Sequence, residues 1–348
     1  MSPLDAAAVA ALPKVELHCH LEGTMRATTA AELARRHGIA FPVEDPAELY
    51  RYEDLTGFLG VFWLIQSVLG DGDAWERLAY ESVVDAAAHG LVHREAFFTP
   101  ARHLGAGQQL ATIVQALDAG LRTAEAETGV STSLIFDIDR DFGPQIALEH
   151  VEQLCALRRA EAPGSERVIG IGMDSTELGV DPATYRRAYA AAAMAGLRRT
   201  AHQGENSPAS AIATAVDVLG CERIDHGISV LGDPELTRRL ADERMPLTVC
   251  PNANVRINPG VVPTIAEHPF PRMRDAGLLV TLNTDDPGLV GLDLTAEYLL
   301  SATAFGYGWD DLVAIALAGV EASWLDAGDK AALQRRVVAG AAAAAAAT

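Results

Sequence analysis

The feature that most constrains this chain is a regular alternation of short apolar segments with helix signals. Apolar runs fall near residues 15–20, 92–98, 132–138, 168–173, 198–202, 223–226, 247–250 and 279–283. Between them, Asp181-Pro182, Ser207-Pro208 and Asp233-Pro234 each set a capping side chain before a proline at the first helical position. Gly196, Gly220 and Gly277 stand where the corresponding helices should stop. Strands separated by helices pair in parallel, because a parallel connection needs a crossover, and eight such units predict a closed α/β barrel, the (β/α)8 TIM barrel. No proline-rich or serine-rich linker divides the chain, so one barrel domain is expected over residues 1–338. The alanine-rich tail at 339–348 reads as a terminal helix or a frayed end, with no chemistry in it.

One departure from regularity follows the first strand, where residues of about 27–90 predict a helical insertion. Thr29 as N-cap, Glu32 three residues later and Gly38 at the far end mark a helix over 28–37. Phe58, Phe62, Trp63, Leu64 and Leu78 then recur at helical spacing. They either cover a pocket above the first strand or serve as ordinary core.

Charge excludes two classes of partner. The net charge is −20, and such a surface repels phosphate backbones and anionic lipid, so no nucleic acid and no membrane is expected. No uninterrupted apolar run is long enough to span a bilayer, and the N-terminal MSPLDAAAVAALPK carries Asp5 and no basic region, unlike a signal peptide. Cys19, Cys155, Cys221 and Cys250 form no C-x-x-C pair and read as reduced, buried thiols of a cytoplasmic protein.

A barrel gathers functional groups at the C-terminal ends of its strands. His18 and His20 lie two apart on the first strand and so share a face, with Cys19 pointing away. The fifth strand ends in Ala201-His202-Gln203-Gly204-Glu205, the sixth in Asp225-His226-Gly227 and the eighth in Asn283-Thr284-Asp285-Asp286-Pro287. Three imidazoles and a carboxylate, His18, His20, His202 and Asp285, complete a mononuclear site with room for a water. Taken singly each has a plainer reading: a hydrogen-bonded histidine, a helix cap, a loop carboxylate at Glu205. Their coincidence at four strand ends is what carries the metal reading. The fourth strand holds no lysine of the kind that bridges two metals once carboxylated, which favours one ion. His93-Arg94-Glu95 matches H-x-E, but the P-C-x-x-C of a cytidine-type deaminase is missing, so that match is a decoy.

HCHLEG, AHQGE, RIDHGI and NTDDP, in this order, resemble the adenosine/adenine deaminase branch of the amidohydrolase superfamily. The resemblance runs from about Pro13 to Trp324, and ERIDHGISVL, HPFPRMRDAGLLVTLNTDDP and YRYEDLTGFL are most similar to its bacterial and fungal adenine-deaminase group. It implies one zinc per subunit on His18, His20, His202 and Asp285, a ligand set that suits Fe2+ as well. It also implies Glu205 as proton shuttle, His226 as the group that activates and orients water, and Asp286 as hydrogen-bond partner of purine N7. The reaction implied is hydrolytic deamination of a 6-aminopurine, adenine or a close analogue. Chemistry supports the same roles: a metal lowers the pKa of water to about 7, Glu205 can protonate N1, and His226 can stabilise the adding oxygen. Two alternatives stand beside it. One is a nucleoside deaminase acting on adenosine or a 5′-modified, aminofutalosine-like substrate; the other is an inactive metal-binding barrel, against which Glu205 and His226 argue.

The free base is favoured by the segment Gly172-Met173-Asp174-Ser175-Thr176-Glu177. Glu177 falls where adenosine deaminases resemble one another in carrying glycine, and a carboxylate there would accept N9–H and collide with a ribosyl group. The alternative for Glu177 is a carboxylate at a helix N-terminus. Glu22 stands where nucleoside enzymes carry Asp. Gly172, Glu177, Glu22 and Asp286 are therefore the candidate substrate-binding residues. Gln203 beside Glu205, and Asn252-Ala253-Asn254 in place of the usual x-S-N, are departures expected to alter the pocket and to admit a modified aminopurine.

Overall fold

Strands form at each of the eight expected places in the computed structural model, which describes residues 4–52 and 55–347. Glu53 and Asp54 of the YRYEDLTGFL segment, like Met1–Pro3 and Thr348, lie outside those residues. The strands are β1 (Lys14–Glu16), β2 (Leu91–Phe98), β3 (Ser131–Asp139), β4 (Val168–Asp174), β5 (Arg198–Arg199), β6 (His202–Gln203), β7 (Ile224–His226), β8 (Pro246–Val249) and β9 (Leu279–Leu282). All neighbours pair in parallel, in two runs, β1 to β5 and β6 to β9. The expected fifth strand is thus two short pieces. The break at Thr200-Ala201 is bridged on both sides, since the Thr200 N–H donates to the Ile171 carbonyl and the Asp225 N–H to the Ala201 carbonyl, each at 2.9 Å.

The other seam closes past the end of β1. His20 N–H donates to the Asp285 carbonyl at 2.9 Å, and Asp285 N–H to the His18 carbonyl at 3.2 Å. On the opposite side of the same segment, the Phe97 N–H of β2 donates to the Cys19 carbonyl at 2.9 Å. Apolar residues on the outer face of the strands pack under the helices, as Leu134, Phe136, Ile171 and Leu247 do. On one face of β2, Arg94 pairs with Glu16 at 2.6 Å and donates to the Ser82 carbonyl of the preceding helix; on the other, Glu95 pairs with Arg223 at 2.5 Å beneath the Trp324 ring. The His93-Arg94-Glu95 decoy is therefore structural, and removing one partner of such a buried pair would strand a charge.

The insertion begins with α1 (Ala27–His37) and α2 (Leu55–Val68); the following α3 (Gly72–Ala87) is the crossover helix into β2. Here the helix start differs from expectation. Thr29 is no cap: α1 begins at Ala27, and the buried Thr29 hydroxyl donates to Glu81 of α3 at 2.6 Å. Ser207 is not a cap either, since its helix begins at Ala209 with no side-chain capping bond. Asp181 and Asp233 cap as expected, and Gly38, Gly196, Gly220 and Gly277 all adopt positive φ. Phe58, Phe62 and Trp63 of α2 line a cavity at the mouth of the barrel, whereas Leu64 packs against the core and Leu78 lies in it. Phe58 and Phe62 also pack into the core, so the same side chains meet both expectations for this run. The alanine-rich end continues the helix Ala327–Ala347, whose Val337, Ala341 and Ala344 are buried. Among the described residues, no helix is long and apolar enough to cross a membrane.

Glu297 gives the fold a pH dependence. It accepts hydrogen bonds from Asn252 at 2.9 Å and Ser301 at 3.1 Å, and burial pushes it up to about 7. The folded chain thus keeps a proton there that an unfolded chain releases above about pH 4.5, so this contribution is full below pH 4.5 and is lost as pH rises through 7. Urea denaturation at pH 5 and pH 8 should show Glu297→Gln flattening that fall, by up to about 3 kcal/mol.

Candidate metal centre and active site

Closure of the barrel sets the ligands side by side. His18 and His20 leave β1 on one face, and Asp285 enters between them from β9 by the two hydrogen bonds of the seam. The His18 Nδ1 sits 3.1 Å from both the carbonyl and the hydroxyl of Thr248, which leaves Nε2 turned toward Asp285 Oδ1 at 3.2 Å. His20 Nε2 lies 3.0 Å from His202 Nε2 and 3.5 Å from Asp285 Oδ1. His18, His202, His226 and Asp285 each present a ligand atom within 4.8 Å of the others. His20 forms a second such group with His202 and Asp137, and its contacts with His202 and Asp285 join the two, so the four expected ligands are brought together with His226 added.

This donor set fits a divalent cation. His18 Nε2 is buried without a hydrogen-bond partner, and the Nε2 atoms of His20 and His202 face each other at 3.0 Å at the inner end of a cavity. Nitrogen-rich sites with one carboxylate suit zinc and neighbouring transition metals. Burial holds His20 down to about 4. Burial also pushes His202 well down, helped by His18, His20 and His226, so both rings are neutral and carry a free lone pair. Burial opposes charge on His18, yet the Asp285 carboxylate raises it, and His18 in turn lowers Asp285 against the effect of burial. Carboxylates stand behind the imidazoles: Asp137 lies 3.8 Å from His20 Nδ1, and Asp225 3.8 Å from His202 Nδ1. Such outer carboxylates orient ligand rings.

The backbone is strained at the same place. His226 and Asp285 adopt φ of 61° and 65°, and Ser175 on the cavity wall 68°, a region that costs a non-glycine residue on the order of 1–3 kcal/mol.

The cavity beside this cluster has a volume of about 420 Å³. Its inner end carries His20, His202, His226, Glu205, Asp285 and Asp286; its walls carry Phe58, Phe62, Trp63, Thr99, Asp174 and Ser175. Glu205 accepts a hydrogen bond from Asn254 Nδ2 at 2.8 Å, and that amide also lies 3.2 Å from His226 Nδ1. Asp286 is buried with Oδ1 unpartnered, and Gly23 makes room for it: a Cβ on Gly23 would sit 1.9 Å from that oxygen. Burial, then the neighbouring Asp285, push Asp286 well up.

Three candidate substrate-binding residues do not reach the cavity. Glu177 is buried behind its wall, and its carboxylate accepts hydrogen bonds from the loop that follows His202, for example from Gly204 N–H at 2.6 Å. It faces backbone amides rather than a purine edge, because the positive φ at Ser175 turns the chain away from strand alternation. Gly172 is needed for packing, since a Cβ there would meet Asp137 Oδ1 at 2.4 Å and the Phe97 ring at 2.9 Å. Glu22 accepts from Thr99 N–H at 2.8 Å, is pushed up to about 7 by burial and is not among the residues that line the cavity. The departures noted at Gln203 and Asn252 also point inward, Gln203 donating to Glu177 and Asn252 to Glu297. Sequence reasoning did not foresee Thr99, Asp174, Ser175 or Asn254. The polar runs Thr99-Pro100 and Asp174-Ser175 at the ends of β2 and β4 are the signal that could have found the first three.

A model of the adenosine deaminase family matches residues 13–340. The chain belongs to the adenosine deaminase family. An adenine deaminase of Streptomyces coelicolor is 42% identical over 292 residues, 83% of each chain. The crystal structure of an adenine deaminase from Arthrobacter aurescens superposes with a TM-score of 0.87 at 37% identity, covering 94% of this chain and 98% of that one. An amidohydrolase from Burkholderia ambifaria, solved with bound zinc, gives a TM-score of 0.89 at 32% identity over 99% of this chain and 96% of its own. This member of the adenosine deaminase family thus shares its fold over nearly the whole chain.

Divalent ions are expected to stabilise chelator-treated protein by up to about 4 kcal/mol at a thousandfold excess over Kd, and so to raise its melting temperature. His202→Ala and Asp285→Asn should lose that stabilisation. Calorimetry with metal analysis on the three proteins provides the check.

Proposed function

We propose that this chain is a metal-dependent hydrolase that converts adenine and water to hypoxanthine and ammonia, with one zinc ion held by His18, His20, His202 and Asp285. The observation that carries this reading is the buried convergence of those donors beside Glu205 and Asp286 at the inner end of one cavity. Its relatives named adenine deaminase, at 42% and 37% identity, support it, and zinc in the Burkholderia relative supports the choice of metal. A bound divalent ion there supplies Lewis acidity and makes water available as a nucleophile near neutral pH.

The side chains do the rest. Asp286, at the end of the barrel's last strand, reads N7; because N7 offers a lone pair, the carboxyl must donate its proton to it. Glu205 delivers a proton to N1, which draws electron density from C6 and opens it to attack. His226, 3.9 Å from Glu205 Oε2, accepts a proton from the attacking water and steadies the oxygen as it adds. The C6–N bond then breaks: ammonia leaves with the proton held by His226, and the remaining hydroxyl proton returns to Glu205 as the C6 carbonyl forms. With N1 on Glu205 and N7 on Asp286, the N3/N9 edge points toward the wall of Thr99, Asp174 and Ser175, whose oxygens can accept N9–H. That wall is acidic, with Asp139 and Asp141 beside it, and disfavours a phosphate. The four cysteines are buried and unpaired, which supports action in the cytoplasm.

Ammonia release from adenine, adenosine and AMP tests the reading. Adenine should be preferred in kcat/KM by at least about a hundredfold, on the order of what a mismatched buried polar contact costs. Preference for an N9-substituted compound overturns the free-base assignment. Glu205→Gln should lower kcat by about 10²–10⁴-fold with metal retained.

A further inference from the structure

Behind the cavity wall, one carboxylate gathers donors from a single short loop. Glu177 Oε1 accepts the backbone N–H of Glu205 at 3.0 Å and of Asn206 at 3.4 Å. Its Oε2 accepts the N–H of Gly204 at 2.6 Å, the Gln203 Nε2 at 2.8 Å and the Ser207 hydroxyl. Three consecutive backbone N–H groups turned toward one anion form the concave arrangement known to bind anions elsewhere. Here the anion belongs to the protein, and Glu177 is only 4% exposed. The loop also lacks freedom to choose another shape. It starts from His202, whose carbonyl accepts from Arg140, and Gly204 makes its turn at φ of 81°.

The residue at the middle of this loop is Glu205. Its side chain leaves the clamp on the cavity side, where Asn254 meets its carboxylate at 2.8 Å. We propose that Glu177 is a positioning residue for deamination, its carboxylate fixing the Gly204–Asn206 backbone so that Glu205 is presented to the substrate ring in a single geometry. The proposal rests on the proton-transfer role given to Glu205 above. Its chemistry is specific to a carboxylate. Every group that meets Glu177 is a donor, and an ionised carboxylate has acceptors only. A glutamine would set its own NH2 against those donors, so Glu177→Gln disrupts the loop although it preserves shape. Aspartate keeps the acceptors but stops one methylene short.

The test is a double-mutant cycle between Glu177→Gln and Glu205→Gln in the metal-loaded enzyme, with kcat, KM, metal content and melting temperature measured for each protein. Displacement of a reacting group by about 1 Å is worth on the order of a hundredfold in rate. Glu177→Gln is therefore expected to lower kcat by 10–100-fold while KM changes less than about threefold and metal stays bound. In the Glu205→Gln background the same change should be nearly silent, because the group it positions is already gone. A loss of kcat that is equally large in both backgrounds, or no loss in either, overturns the proposal. If Glu177→Gln does not fold, Glu177→Asp takes its place in the cycle, with a smaller fall in kcat expected and the same silence beside Glu205→Gln. Full activity in Glu205→Gln alone would instead overturn the mechanism itself, an outcome distinct from additivity.

Discussion

Everything in this molecule that does chemistry depends on two backbone hydrogen bonds, His20 N–H to the Asp285 carbonyl and Asp285 N–H to the His18 carbonyl. They close the last strand of the barrel on the first. In doing so they interleave the residues that carry ligand atoms, so that closing the fold and assembling the site are one event. A ring of parallel strands has no free edge, and each βα unit contributes its strand end to the same rim. His202 and His226 arrive there from two further strands without any contact in sequence. The positive φ of His226 and Asp285 is the conformational cost of turning side chains inward at that rim, and the surrounding pairings hold it.

The second constraint is charge. The rim buries Asp137, Asp174, Asp225, Asp285 and Asp286 close to four imidazoles, two of which burial keeps neutral. Both oxygens of Asp137 lack a partner, and burial pushes that group and Asp174 well up. A buried carboxylate without a countercharge is costly, and it gives up its charge when it can. Among the described residues, the closest relief within the cluster is the Asp285–His18 contact at 3.2 Å, with His20 3.5 Å from the same oxygen. A divalent cation is the natural completion of such a shell, which ties stability of the rim to occupancy of the site rather than to packing alone.

The sequence made this rim legible because strand periodicity and strand-end motifs are local signals. Two histidines at i and i+2 must share a face, and capping residues before proline and terminal glycines mark where the intervening helices begin and end. What the sequence did not convey was direction beyond a strand end. Ser175 takes a left-handed turn, so Glu177, two residues on, lies behind the wall instead of on it. Thr29 and Ser207 failed as caps for a related reason: each hydroxyl found a buried carboxylate, Glu81 or Glu177, and a tertiary partner displaced the local one. Asn254 was visible as a letter in a motif, but its contact with both Glu205 and His226 requires knowing that the helix Pro251–Ile257 starts at the end of β8, beside β6 and β7. Pairs distant in sequence, such as Arg223 with Glu95, carry no local signature at all.

The wall away from the rim sets what shape and charge the cavity can hold. Phe58, Phe62 and Trp63 give it flat apolar surface suited to an aromatic ring. Arg102, which could have made it a phosphate site, stacks on Trp63 at 3.5 Å and lies 3.6 Å from Asp139 and 3.5 Å from Asp141. Its side chain, a third exposed where it lines the cavity, is already engaged by two carboxylates and an indole, and it joins α2 to the barrel. Opposite it, Asp174 and Ser175 offer oxygens, and the Thr99 hydroxyl donates to Asp174 at 2.8 Å. A cavity with an aromatic slab on one side, acceptors on the other and its cation already paired favours a neutral heterocycle with N–H groups at its edge. Burial of a phosphate there would place like charges together in a region of low dielectric, where their repulsion is strongest.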